Sequence, residues 1–204
     1  MKTRLLTLGC AMLLLASCSK DMIVVSDSDD PLPAATTHAG AKEYVQYTIK
    51  EGEQFCDKSN YLSVDYSELS FRVKFDSSAI YTTTDPANQK DINKLFGFSD
   101  NNAAHHEYSA RFGWRWSNNA LRLFAYTYNK SLLSIKELGT VAIGSENECK
   151  IKVTSDNYIF TLNGTSTNMS RSSTTSTATG YQLYPFFGGE EMAPHNIKIM
   201  IKQL

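Results

Sequence analysis

From Tyr44 onward the dominant period of apolar and polar residues is two. Val45, Tyr47 and Ile49 alternate with polar neighbours, and Phe71-Arg-Val-Lys-Phe75 puts Arg72 and Lys74 on the face opposite its apolar residues. Further runs of this kind are Ala110 to Trp116, Leu121 to Tyr128, Val141 to Ile143, Cys149 to Val153, Tyr158 to Leu162, Gln182 to Phe187 and Ile197 to Ile201. They are rich in β-branched and aromatic residues and are separated by Asn, Asp, Gly and Ser, which predicts half-buried strands joined by turns. One stretch departs from the pattern. Pro86 to Leu95 could form a short helix. Many short strands with no alternating helices predict an all-β fold, an antiparallel sandwich or barrel with at most one short helix.

The same counting fixes one hairpin in detail. Asn118-Asn119 suits a two-residue turn, because asparagine tolerates the positive φ that such turns demand. Counting outward pairs Trp116 with Leu121, Trp114 with Leu123 and Phe112 with Ala125, an apolar face that belongs in the core. The other face pairs Arg115 with Arg122, Gly113 with Phe124, Arg111 with Tyr126 and Ser109 with Tyr128. Like charges directly opposite one another are unfavourable unless something neutralises them. Two readings follow. Acids on neighbouring strands could pair the arginines while the rings pack under a loop. Alternatively, Arg111, Arg115, Arg122, Phe124, Tyr126 and Tyr128 form a ligand platform, with rings stacking on sugar faces and guanidinium groups receiving a carboxylate or sulfate.

The N-terminal segment breaks the period altogether. Lys2 and Arg4 precede a run from Leu5 to Ala16 that is almost wholly apolar and too short to span a membrane as a helix. It ends in Leu15-Ala16-Ser17-Cys18, which resembles the bacterial lipobox. That resemblance implies cleavage before Cys18 and its lipidation, so residues 1–18 are expected to be a signal peptide and the membrane a partner through the lipid. Residues 19–41, rich in Ser, Asp, Pro, Ala and Thr, read as a flexible tether. Ser19-Lys-Asp21 loosely resembles the export signal of Bacteroides-type surface lipoproteins, which implies the outer membrane, outward-facing. Residues 42–204 then form one domain, expected to be a monomer.

Composition narrows the partners. With Lys+Arg 20 and Asp+Glu 21 the formal charge is -1, so no overall field argues for nucleic acid. Of four cysteines, only Cys56 and Cys149 fall within the domain. Export permits a disulfide between them, and two buried thiols are an equal alternative. No CxxC spacing suggests zinc.

The closing segments carry a second resemblance. Lys150 to Val153, a turn, and Tyr158-Ile-Phe-Thr-Leu-Asn-Gly164 are similar to a hairpin of concanavalin-like and laminin-G-like jelly rolls. Tyr184-Pro-Phe-Phe-Gly-Gly189 with a final apolar strand resembles the end of such domains in gut-bacterial lipoproteins. This implies a two-sheet jelly-roll sandwich and a glycan, acidic or neutral, as the partner. The glucanase branch of this fold carries Glu-x-Asp-x-x-Glu on one strand, which is absent here. A polysaccharide lyase would need a group for a uronate carboxylate, such as Arg111 or Arg115, with a base and acid drawn from His105, His106, Tyr126 and Tyr128. Neither a phosphate-binding glycine loop nor a Ser-His-Asp arrangement is present.

Loops complete the list. Phe96 to Asn102 with His105-His106 is expected to rim the platform, and adjacent histidines on a strand would be poor partners for one metal. Glu190 and Glu191 are candidates for a structural calcium or for sugar hydroxyls, and a solvated acidic loop is the plainer account. No other cofactor is expected. Thr165 to Thr179, dominated by Ser and Thr, reads as a polar edge or loop. The leading expectation is a non-catalytic, surface-tethered glycan-binding domain. A lyase or hydrolase on the same scaffold comes second, and an adhesin or assembly subunit third.

Overall fold

The computed structural model describes residues 43–204; the leader, Cys18 and the tether lie outside these residues. Twelve strands form two antiparallel six-stranded sheets. In chain order they are β1 (Val45–Ile49), β2 (Ser63–Tyr66), β3 (Glu68–Phe75), β4 (Asn93–Ser99), β5 (Tyr108–Ser117), β6 (Ala120–Asn129), β7 (Leu132–Val141), β8 (Glu146–Val153), β9 (Asn157–Leu162), β10 (Thr165–Ser170), β11 (Ala178–Leu183) and β12 (Ile197–Gln203). One sheet runs β1-β12-β3-β8-β9-β10 and the other β2-β11-β4-β5-β6-β7. This is the jelly-roll sandwich that the alternation and the closing segments pointed to.

The period of two is realised as burial. Leu69, Phe71, Val73 and Phe75 of β3 point inward with Cys149, Ile151 and Val153 of β8 and Tyr158, Phe160 and Leu162 of β9. Phe112, Trp114, Leu121 and Leu123 face them from the second sheet. The two layers meet through aromatic edges, with Phe71 and Phe112 centroids 5.5 Å apart and Phe112 and Phe160 5.2 Å apart. Such pairs prefer this tilted geometry because the ring edge is positive and the face negative. At one end of the first sheet, polar β10 leaves Ser and Thr on its open edge, which discourages further pairing.

The β5–β6 hairpin has the register counted from its sequence, from Trp116 opposite Leu121 to Ser109 opposite Tyr128. Asn118 and Asn119 take φ 52 and 55, the left-handed pair such a turn needs. The expected helix is smaller than the stretch allowed. Pro86–Lys90 makes one 3-10 turn capped by the Asp85 side chain, and the chain then enters β4, drawn in by Leu95, Phe96 and Phe98.

The possible Cys56–Cys149 disulfide is not formed; both thiols are free and buried. Cys56 bridges to Ile49 beyond β1, whereas Cys149 lies on β8, on the far side of β12 and β3. Four strand spacings of about 4.8 Å separate them by about 19 Å, well beyond disulfide reach. Burial pushes the Cys149 thiol well above its ordinary range and raises that of Cys56 as well. Each behaves as a small core hydrophobe.

Candidate functional site

The arginine-aromatic face of the β5–β6 hairpin divides into two halves. In the half nearest the turn, the Arg115 guanidinium lies over the Phe124 ring at 4.9 Å and donates to the Lys90 carbonyl at 2.6 Å. Phe124 is buried beside Ile92. Arg122 forms a 2.7 Å ion pair with Glu137 on β7. Arg115, Arg122 and Phe124 are therefore held by the protein itself, as in the plainer of the two readings; Phe124 packs with Tyr126 and Tyr128, but none of the three lines the cleft formed by the other half.

The other half opens into a cleft of about 650 Å³. Arg111, Tyr126 and Tyr128 form its floor, and His105 and His106 rise at one side from the turn between β4 and β5. Residues that the sequence reading had not assigned to the site complete it: Phe55 and Ser59 to Tyr61 between β1 and β2, Lys94 of β4, and Tyr181 to Phe186 at the end of β11. The last segment is steered by Pro185, after which Phe186 exchanges backbone hydrogen bonds with Lys94 at 2.8 and 3.0 Å.

Arg111 governs the electrostatics. Its residue is 7% exposed, its Nη2 donates to the Tyr184 carbonyl at 2.9 Å, and its Nε has no partner. Among the described residues it has no ion-pair partner, and the lining of the cleft contains neither Asp nor Glu. Burial pushes its pKa down to about 10. A buried guanidinium with a free donor and no counter-ion is a place prepared for an anion. Gly97 makes the placement possible, since a Cβ there would lie 2.4 Å from the Arg111 Cβ.

A second cation stands nearby. A β-bulge between Lys94 and Gly97 sends both Leu95 and Phe96 into the core and leaves Lys94 facing the cleft. Its ammonium lies 5.5 Å from the Tyr126 ring centroid and 5.8 Å from that of Phe186, and donates to the Gly188 carbonyl at 2.6 Å. Burial first, and then Arg111, lower its pKa to about 8.

The histidine turn is held from below. Asp100, fully buried, pairs with Arg171 at 2.8 Å and accepts the Tyr158 hydroxyl at 2.6 Å. Arg171 also donates to the carbonyls of Thr154, Thr175 and Thr177, so the β8–β9 turn and the β10–β11 connection are tied to the same ion pair. On this base, His105 is set against Tyr181. The backbone N–H of His105 donates to the Tyr181 oxygen at 3.0 Å, and its Nδ1 lies 2.9 Å from the same oxygen. His106 packs against His105 with centroids 4.0 Å apart and planes tilted by 44°, and meets the Tyr128 ring edge-on. Burial, His106 and Arg111 push His105 down to about 4, so it is neutral at neutral pH. With Nδ1 an acceptor, the Tyr181 hydroxyl donates to it and keeps a lone pair for an incoming proton. Gln182 lines the cleft but is fully engaged, donating to Gly97 and Leu183 and accepting from Tyr66.

The acidic loop serves the fold. Glu191 accepts from the backbone of Thr84 and Asp85, each at 2.8 Å, and from the Asn88 amide. Those bonds lower its pKa and occupy the oxygens proposed for calcium, while exposed Glu190 meets Asp91 only through its backbone N–H. Among the described residues, no three His, Cys, Asp or Glu side chains converge on a metal position.

No family model and no curated protein matches the chain. Its fold, in contrast, is shared with solved structures. An alginate lyase matches with TM-score 0.55 at 8% identity, over 79% of this chain and 74% of that one. A mixed linkage glucan GH16 protein of Bacteroides ovatus, in complex with product, matches with TM-score 0.53 at 11% identity, over 80% and 81%. The laminarinase catalytic domain of Thermotoga maritima gives 0.51 at 8%, over 78% and 75%. The protein thus has the jelly-roll fold on which glycoside hydrolases and a polysaccharide lyase are built.

Proposed function

We propose that the domain is a polysaccharide lyase acting on uronate-containing glycans by β-elimination. The observation that carries the proposal is the buried, unpaired Arg111 in a cleft lined by no carboxylate, beside the hydrogen-bonded His105–Tyr181 pair. Hydrolysis by the usual retaining or inverting route needs two carboxyl groups across the scissile bond, and this cleft supplies none. Elimination needs a different set. A uronate carboxylate meeting Arg111 is neutralised, which makes the C5 proton easier to remove. The Tyr181 oxygen takes that proton while its own passes to His105 Nδ1. The C4–O4 bond then breaks as a C4=C5 double bond forms, and the proton held on the pair goes to the departing O4. An alginate lyase among the proteins of this fold supports the chemistry on the scaffold. The leader and lipobox support a lipid-anchored chain at the outer membrane, displaying this cleft to soluble polymer.

The test is incubation of the purified protein with alginate, polygalacturonate and hyaluronan while the ultraviolet absorbance of unsaturated ends is followed. Rising absorbance that disappears in Tyr181→Phe establishes the lyase. Binding without product that is lost in Arg111→Met returns the protein to the glycan-binding class, and failure to bind any uronate polymer refutes both.

A further inference from the structure

Lys94 has no part in the elimination just described, yet it is the second cation of a cleft that contains no acid. On β4 it stands opposite Gly113, while Arg111 stands opposite Gly97. Arg111 and Gly113 are two residues apart on β5 and share one face, so Lys94 and Arg111 are diagonal neighbours across adjacent strands. Diagonal positions lie roughly 7–8 Å apart at Cα. Both side chains line the same cleft, so the two cations face one bound chain. Lys94 has no carboxylate within ion-pair distance among the described residues. The charged groups around it are Arg111 and, outside the cleft, Asp91. Its ammonium keeps one bond, to the Gly188 carbonyl, and an ammonium has three donors. Two aromatic rings flank it and supply surfaces for the apolar side of a sugar.

We infer that Lys94 is a second anion subsite, binding the carboxylate of the sugar next to the one held by Arg111, so that the preferred polymer is a run of adjacent uronates. The inference rests on the lyase or uronate-binding reading and deepens it. A polymer that alternates uronate with neutral sugar satisfies Arg111 and leaves Lys94 facing an uncharged ring. A homopolymer satisfies both at once, and the second contact is then intramolecular.

The test uses one polyuronate whose carboxyl groups have been reduced at random to different extents, with affinity and, where there is cleavage, initial rate as readouts. If two adjacent carboxylates are required, leaving half of them lowers the wild-type response to about a quarter; a single requirement lowers it to about a half. Lys94→Met should follow the single-carboxylate curve and bind the intact homopolymer about tenfold more weakly. A thermal melt checks that the variant is folded, and the wild-type curve stands without it. A wild-type response proportional to the fraction of carboxylates retained overturns the second subsite and leaves the lyase reading intact. No response to the unreduced polymer overturns both.

Discussion

Replacing Arg111 with methionine should make the protein more stable and less able to bind. The guanidinium is buried without a counter-ion, and its pKa is pushed down to about 10. A depression of that size corresponds to about 3 kcal/mol by which the folded state disfavours the charged form. The sign follows from linkage: the unfolded chain holds the proton more tightly than the folded chain, so at neutral pH this burden is fully present, and it lifts only as pH rises through 10 towards the ordinary arginine range. Methionine keeps an unbranched apolar stem in the same space and removes the charge. It also removes the hydrogen bond to the Tyr184 carbonyl, a loss of about 1 kcal/mol. The net expectation is a gain of about 1–2 kcal/mol, or roughly 2–8 °C in Tm for a domain of this size. Urea and thermal denaturation of wild type and Arg111→Met measure it directly. Added uronate oligomer should raise the wild-type Tm, by about 2.7 kcal/mol in stability at a hundredfold excess over Kd, and leave the variant unmoved. A variant destabilised by more than about 2 kcal/mol would show that Arg111 is a structural cation whose surroundings already satisfy it. The reasoning from an unpaired charge to an anionic ligand would then collapse.

Other expectations follow from the same geometry. Gly97→Ala pushes a methyl into the Arg111 backbone and side chain, so it should lower stability by about 1–3 kcal/mol and weaken uronate binding together, read by urea midpoint and by titration. Asp100→Ala leaves Arg171 buried and unpaired, and urea unfolding should show a loss of about 3–5 kcal/mol. His105 has its folded pKa depressed to about 4, so the unfolded chain protonates first, and stability should fall as pH drops from about 6.5 towards 4. Because the ring is partly exposed, the drop should be about 1 kcal/mol after screening, and His105→Gln should flatten the stability curve over that window. Arg122→Ala, whose partner is Glu137, should leave uronate affinity within about twofold of wild type in the same titration.

What was legible in the chain was whatever short-range rules govern. The Asn118-Asn119 turn sets the register of β5 against β6 because two asparagines with positive φ close a hairpin in one way. Alternation at Phe71 to Phe75 and Tyr158 to Leu162 sets which side chains enter the core, since a strand can bury only one face. Arg111, Tyr126, Tyr128, His105 and His106 could therefore be singled out beforehand, and the structure brings these five to one cleft. β7 could not be read, because its residues from Leu132 to Glu137 are exposed on both faces and show no period; without it, Glu137 could not be given to Arg122. Nor could β4, whose bulge breaks the alternation at Leu95 and Phe96 and hides Lys94 among core residues. Tyr181 stands 76 residues from His105 in the chain, and only the pairing of β11 with β4 brings them to hydrogen-bonding distance. The chain by itself thus determined the fold class, one hairpin and half of a site. The tertiary structure decided which arginines are satisfied from within and which one stays unpaired, because a charge's partners come from strands distant in sequence and no local pattern records them.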